Sequence, residues 1–271
     1  MTMNVSTSPG VPKERSSLAI TLDVWRALFL REMVSRVASR RFAWAWLLLE
    51  PMVFVLFMMF IYGVLRVRTI PGADATLWLV VGYVSFLTAR NIFTRGMEAI
   101  NANQALFTYR QVLPVDTVLV RAFLEAFLGV IVLVSALLLA ALIGKQVIPG
   151  DILMVMLGYG GLCLVGLGLG LMLSVGVELI NELGKIIGIV MMPLALLSGA
   201  MMPMTIIPVE YRHWLFLNPF ASGLEIIRSG FFPYYHMAPE ADIGYLYTFA
   251  VVTLFFGFAL QYRYSIQLRA Q

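Results

Sequence analysis

Long unbroken apolar runs alternate along this chain with short polar ones, and the runs are continuous rather than alternating every second residue. That pattern predicts membrane-spanning helices rather than barrel strands. A crossing helix needs about 20 apolar residues. Six stretches qualify: residues 46–65, 76–93, 118–143, 152–177, 186–204 and 243–262. The second is cleanly apolar only as far as Ala89. In lipid every backbone polar group must be satisfied internally, which only helices and closed barrels achieve. The expected fold is an all-α integral membrane protein with six transmembrane helices over residues 44–271, an amphipathic helix over 18–43 and a flexible cytoplasmic tail over 1–17.

Two segments depart from the spanning pattern. In residues 18–43, Leu22, Trp25, Leu28, Phe29, Met33 and Val37 recur at three- and four-residue steps, while Arg26, Arg31, Glu32, Arg36 and Arg40 occupy other faces. A basic amphipathic helix carrying a Trp belongs in the headgroup plane. It either anchors the first span or, through Trp25, Arg31, Glu32 and Arg36, also forms a collar against a cytoplasmic partner or a wall that admits lipid. Residues 201–237 are too broken for a span, with Pro203, Pro208, Pro219 and Pro233, and too aromatic for a solvated loop. Half-helices over 209–217 and 220–231 fit, dipping in from the outer face to line a wet space. An aromatic belt at the interface is the other reading.

Composition sharpens the class. The chain is 61% apolar and 13% charged, against about 45–50% and 25% in soluble domains. Basic residues set orientation. Lys13, Arg15, Arg26, Arg31, Arg36, Arg40, Arg41, Arg90, Arg95, Arg110, Arg121, Lys185, Arg263 and Arg269 fall on one side. Only Arg66, Arg68, Lys145, Arg212 and Arg228 fall on the other. Both termini and the connection after span two are therefore expected in the cytoplasm. The resulting pI near 9.3 suits anionic headgroups rather than nucleic acid.

Chemistry-bearing patterns are few. Cys163 is alone, and His213 and His236 lie far from other ligand types, so neither a disulfide nor a metal site is expected. Gly144-Lys145 and Gly184-Lys185 lack the rest of a P-loop. No HExxH or GxSxG occurs, no internal repeat is evident, and no acid is read at mid-span, which leaves an intramembrane lipid enzyme, an inverted-repeat transporter and a proton relay without support. Glu50, Arg90, Arg121 and Glu125 are the charges nearest the spans. Arg121 and Glu125 are spaced to pair along one helix. Arg90 is expected to face a cavity, because its span is already short of apolar length. Gly166 and Gly170 make a close-packing step, with Gly168 and Ser174 leaving the contacting face open.

The stretch AINANQALFTYRQVLPVDTVLVRAFLE, with ALFLREMVSR and LLLEP before it and the Asn218-Pro219 pair after an aromatic run, resembles the transmembrane subunits of capsular polysaccharide ABC exporters, the KpsM-type permeases of the type-2 ABC exporter family. The likeness covers nearly the whole chain. The Trp-rich run around Trp44 and Trp46 departs from it. The resemblance implies a coupling helix near residues 99–110 that docks on a separate ATP-binding subunit. Leu106, Phe107 and Tyr109 would be its apolar knobs, and Asn103, Gln104 and Arg110 its rim contacts. Pro114 and the Asp116-Thr117 pair would end that helix and cap span three. It further implies two copies of the chain, two ATP-binding subunits holding ATP and Mg, no cofactor or catalysis on this chain, and a lipid-linked acidic polysaccharide exported across a bacterial inner membrane. Periplasmic or outer-membrane capsule-export proteins are implied as further partners. An acidic cargo would meet Arg90 and Arg95 inside and Tyr211, Arg212, Trp214 and Phe220 outside. Another cargo of the same family (O-antigen, teichoic acid, a drug or a lipid) is the alternative.

Overall fold

The computed structural model describes residues 17–38, 43–64, 70–109, 111–180 and 182–270. Readings that rest on the 1–16 segment, on Arg40, Arg41, Arg66, Arg68 or on Arg110 fall outside them. Among the described residues the structure is entirely helical: α1 (Ser17–Ala38), α2 (Ala43–Val64), α3 (Ala75–Met97), a 3-10 turn (Asn101–Leu106), α4 (Pro114–Leu142), α5 (Ile152–Leu179), α6 (Leu183–Leu197), a short 3-10 turn (Met204–Ile206), α7 (Val209–Leu215), α8 (Pro219–Phe231), α9 (Ile243–Arg263) and α10 (Ser265–Ala270).

Four of these helices, α3, α4, α5 and α9, are long and apolar enough to cross a membrane. The predicted first span is helical over Ala43–Val64 with Pro51 inside it. The predicted fifth span was expected to reach Met204, yet α6 ends at Leu197 after 15 residues. Gly199 follows at φ 72°, a left-handed conformation that favours glycine, and its amide donates to the Leu196 carbonyl. The short apolar length is thus terminated by a glycine stop rather than by a charge.

α3 reads as the weakest span in sequence and is the most enclosed in the structure. In its apolar window 83% of residues are buried inside the protein, against 33% for α4 and α5 and 22% for α9. It runs on through Arg90 and Arg95 to Met97, and those two cations line a polar cavity. A lipid-facing helix must be oily all round, whereas an enclosed one is free to carry Ser85, Thr88 and Asn91.

α5 holds the bundle together through close approaches at its glycines. A Cβ at Gly166 would lie 2.7 Å from the Ala89 carbonyl, and the Cα of Gly170 sits against Gly96, both on α3. On the other side a Cβ at Gly168 would meet Thr253 of α9 at 2.3 Å. The ambiguity over the contacting face is resolved by both faces being used, with Ser174 accepting a 2.7 Å bond from Gln261 of α9.

α8 lies along the first part of α5. Gly230 abuts Val155, Gly158 abuts Ile227 and Gly223 abuts Leu162. Its residues Phe220, Leu224, Ile227 and Phe231 join Trp78, Phe86 and Leu246 in the largest apolar core. The two half-helices therefore form at Val209–Leu215 and Pro219–Phe231, with Asn218 capping the second by accepting from the Phe220 amide at 3.1 Å.

Candidate functional site

The connection between α3 and α4 is shaped by its own side chains. Pro114 opens α4 at a position where its missing N–H costs nothing, and Asp116 accepts from the Leu113 amide at 3.0 Å. Before it, the Asn101–Leu106 segment folds as a 3-10 turn, tighter than the α-helix expected there. Phe107 is 7% exposed and packs with Ala99, Ile100, Val118, Leu171, Val175 and Leu268. It seats the segment on the chain's own core and is not a knob presented outward. Asn103 is likewise buried, its Nδ2 donating to the Ala99 carbonyl at 2.8 Å. The face turned outward carries Asn101, Ala105, Thr108 and Tyr109, with Leu106 half-buried. Half-buried Gln104 donates to Asn101 at 3.3 Å.

α1 is joined to this segment and to α4 by a polar seam. Trp25 Nε1 donates to Asp116 Oδ1 at 2.8 Å. Arg31 Nη2 donates to Asn103 Oδ1. Both Nε and Nη2 of Arg121 reach Glu32 Oε1 at 3.0 Å, and Nη1 of Arg121 reaches the Arg95 carbonyl at 3.4 Å. Arg36 pairs with Glu125 Oε1, and Arg95 Nε reaches the same oxygen at 3.3 Å. The i,i+4 spacing suggested that Arg121 and Glu125 pair with each other. Instead each meets a partner from another helix, because α1 lies across their side of α4 and removes them from water. Around this seam Leu28 is buried and the Phe29 ring meets those of Phe123 and Phe127, at 5.7 and 6.4 Å. The apolar positions are not confined to one buried face, since Leu22, Leu30 and Val34 are exposed.

Arg36, Arg95 and Glu125 also wall a cavity of about 130 Å³ between α1, α2, α3 and α4. Glu50 and Pro51 close it from α2, and Arg90, Asn91, Thr88 and Gly129 from the interior. Arg90 faces this cavity, as its sequence position suggested, and its Nη2 donates to Asn91 at 3.3 Å. Arg90 and Arg95 thus come together, but the outer residues do not join them. Tyr211 and Trp214 are exposed on α7, Arg212 donates from Nε to the Ile207 carbonyl at 2.9 Å, and Phe220 is buried against Phe86.

Sequence reasoning missed a charged node inside the bundle. Arg228, read as an outer-loop cation, is fully buried on α8. Its guanidinium lies 3.3 Å from the Trp78 ring centroid, donates to the Gly199 carbonyl at 2.9 Å and the Ala200 carbonyl at 3.3 Å, and pairs with Glu225 at 3.6 Å. Glu225 in turn accepts from Tyr235 Oη at 3.0 Å and from the Ala238 amide at 3.2 Å. Glu225 is thus a buried acid on α8, outside the four helices long and apolar enough to cross a membrane. The i,i+3 spacing of Glu225 and Arg228 inside an apolar helix was the signal available. No group of three or more candidate metal ligands occurs among the described residues.

The ABC-2 type transporter family matches residues 23–232. The chain belongs to that family. It is 33% identical over 246 residues, 91% of its length and 95% of the relative's, to the polysialic acid transport protein KpsM of Escherichia coli. It is 27% identical over 252 residues to the capsule polysaccharide export inner-membrane protein CtrC of Neisseria meningitidis serogroup A, covering 92% of this chain and 94% of that one. BexB of Haemophilus influenzae, another capsule polysaccharide export inner-membrane protein, is 25% identical over 257 residues, with 95% and 97% covered. In this ABC-2 chain the residues of the polar seam and the cavity, with Arg228 and Glu225, fall within the matched residues, while Tyr235 and Ala238 lie just beyond them.

Proposed function

We propose that this chain is the transmembrane subunit of an ATP-driven exporter that moves a lipid-linked acidic capsular polysaccharide outward across a bacterial inner membrane. The observation that carries this reading is the 33% identity to a polysialic acid transport protein over 91% of the chain. The lack of a P-loop in the sequence fits a division of labour in which a separate subunit supplies ATP and Mg. Two copies of this chain and two ATP-binding subunits complete the machine, and envelope proteins receive the polymer.

In the membrane, α2 and α6 add two crossings to α3, α4, α5 and α9, with both termini cytoplasmic. α7 and α8 enter from the outer face; the course of α8 along α5 from Gly230 at Val155 to Gly223 at Leu162 supports this reading. The Asn101–Leu106 segment is the coupling element. Tyr109, 66% exposed, meets the ATP-binding subunit with Leu106 and Gln104, and Arg110 extends that contact, while Phe107 and Asn103 hold the element on its own subunit. The Arg90 and Arg95 guanidiniums face the acidic cargo at the cavity, and Tyr211 and Trp214 offer aromatic faces to sugar rings on the far side.

Co-expression with the ATP-binding subunit, purification and reconstitution with the polymer test the reading. The expected result is a stable complex and export that requires ATP. Tyr109→Ala is expected to cut binding of the ATP-binding subunit at least tenfold without changing thermal unfolding. Polymer movement by this chain alone would overturn the proposal.

A further inference from the structure

The geometry points to Glu125 and Glu32 as positioning residues that let α1 withdraw from the polar cavity when the coupling segment moves. The inference rests on the exporter reading above. A helix meant only to stay in place is held as well or better by apolar packing, since buried ion pairs seldom outdo a hydrophobic contact of the same volume. The α1–α4 boundary instead spends four charged side chains, with Glu125, Arg36, Glu32 and Arg121 only 3%, 17%, 9% and 13% exposed.

The arrangement has a property that simple bracing does not need. If α1 moves away, the charges left behind keep partners. Glu125 retains Arg95 on the same oxygen, and Arg121 retains the Arg95 carbonyl. Of the groups that leave with α1, Glu32 keeps Arg31 at 3.5 Å, while Arg36 gives up Glu125. Each of the two carboxylates therefore keeps a guanidinium in both positions, so neither acid is stranded in a poorly hydrated place.

The seam connects the two places a transport cycle must connect. At one end Arg31 holds Asn103, a member of the coupling segment whose side-chain amide also donates to the Ala99 carbonyl. At the other, Arg36 forms a wall of the cavity and departs with α1. A displacement of the coupling segment pulls Arg31, shifts α1 and opens the cavity beside Arg90 and Arg95, while the α3–α4 pair stays closed on Glu125.

A reversible lock tests this. In a Cys163→Ser background, Phe29→Cys and Phe123→Cys put one thiol on α1 and one on α4 where the two rings meet, and a bifunctional methanethiosulfonate bridges them through disulfides that reductant cleaves. Bridging in the full complex is expected to leave the ATP-binding subunit attached and to lower export at least tenfold, with reductant restoring it. Equal export from the bridged and the reductant-released forms would overturn the inference. As an independent reading that no cross-link affects, Glu125→Gln is expected to raise the ATP hydrolysed per polymer exported several-fold, with Glu125→Asp recovering much of the coupling. An unchanged ratio in Glu125→Gln overturns the inference too. These failures are distinct from failure of the exporter reading, in which the unmodified chain itself would neither bind an ATP-binding subunit nor export.

Discussion

Two charged clusters sit at opposite ends of the α3–α4 pair, and they are built differently. Near Trp78 and Gly82, Arg228 is wholly enclosed, with an aromatic face, two backbone carbonyls and a carboxylate filling its surroundings. Gly82 leaves room for it: a Cβ there would lie 2.0 Å from the guanidinium. Near Arg95 and Arg121 only the outer guanidiniums, Arg31 and Arg95, are open to water, one carboxylate oxygen serves two arginines, and the contacts bridge helices far apart in sequence. In the first cluster each of those partners meets a single arginine; in the second, two arginines share one carboxylate oxygen. Charge is therefore held differently in the two places, by enclosure in one and by sharing in the other.

Breaking the enclosed cluster should have the largest effect. Arg228→Met strands Glu225 among Tyr235, Ala238 and apolar neighbours, and is expected to lower stability by about 3–5 kcal/mol, read as thermal unfolding in detergent. Adding Glu225→Gln should recover much of that loss, because the uncompensated charge is gone. Gly82→Ala forces the guanidinium off the Trp78 face and is expected to cost about 1–3 kcal/mol in the same measurement. The seam should respond more mildly in stability: Glu32→Gln keeps an acceptor for Arg121 and is expected to cost about 1 kcal/mol. Exchanging the pair, with Glu32→Arg and Arg121→Glu together, should restore export lost in either single reversal. No rescue would mean that the pair's geometry, and not its charge, matters.

The smallest effect is expected from a third ion pair. Lys145 contacts Asp74, which caps α3 by accepting from the Thr76 and Leu77 amides. Partial burial pushes the Asp74 carboxyl up, but the Lys145 ammonium and the two amides outweigh it, leaving the group below the ordinary carboxylate range. A carboxylate depressed on folding stabilises the fold above its unfolded pKa, about 3.9. That contribution is lost as pH falls through the lower folded value. Asp74→Asn is expected to lower neutral-pH stability slightly, by less than the changes above, with the difference from the unsubstituted protein fading as pH falls below about 4.

Much of the architecture was legible because apolar run length and small-residue spacing report directly on membrane helices. The starts of α4 and α8 were legible too, through Pro114, Asp116, Asn218 and Pro219. The interior polar chemistry was harder to read. Positive-inside counting places Arg228 in a loop because it takes a broken, aromatic segment as outer surface, whereas α8 is packed into the bundle. The i,i+4 rule pairs Arg121 with Glu125 because it describes an isolated helix, and α1 changes their neighbours. Phe107 was legible as an anchor of some interface, but an aromatic in a short amphipathic segment looks the same in sequence whether it faces a partner or its own core.

The glycine seating of α5 has a mechanical corollary. Where Gly170 rests on Gly96 and Gly166 on the Ala89 carbonyl, backbone meets backbone, and little side chain lies between the rods to absorb sliding. α5 with α3 makes a stiff axle, with Gly168 bearing on α9 in the same fashion. The rim helices α1, α2 and α6 have fewer ties to that axle.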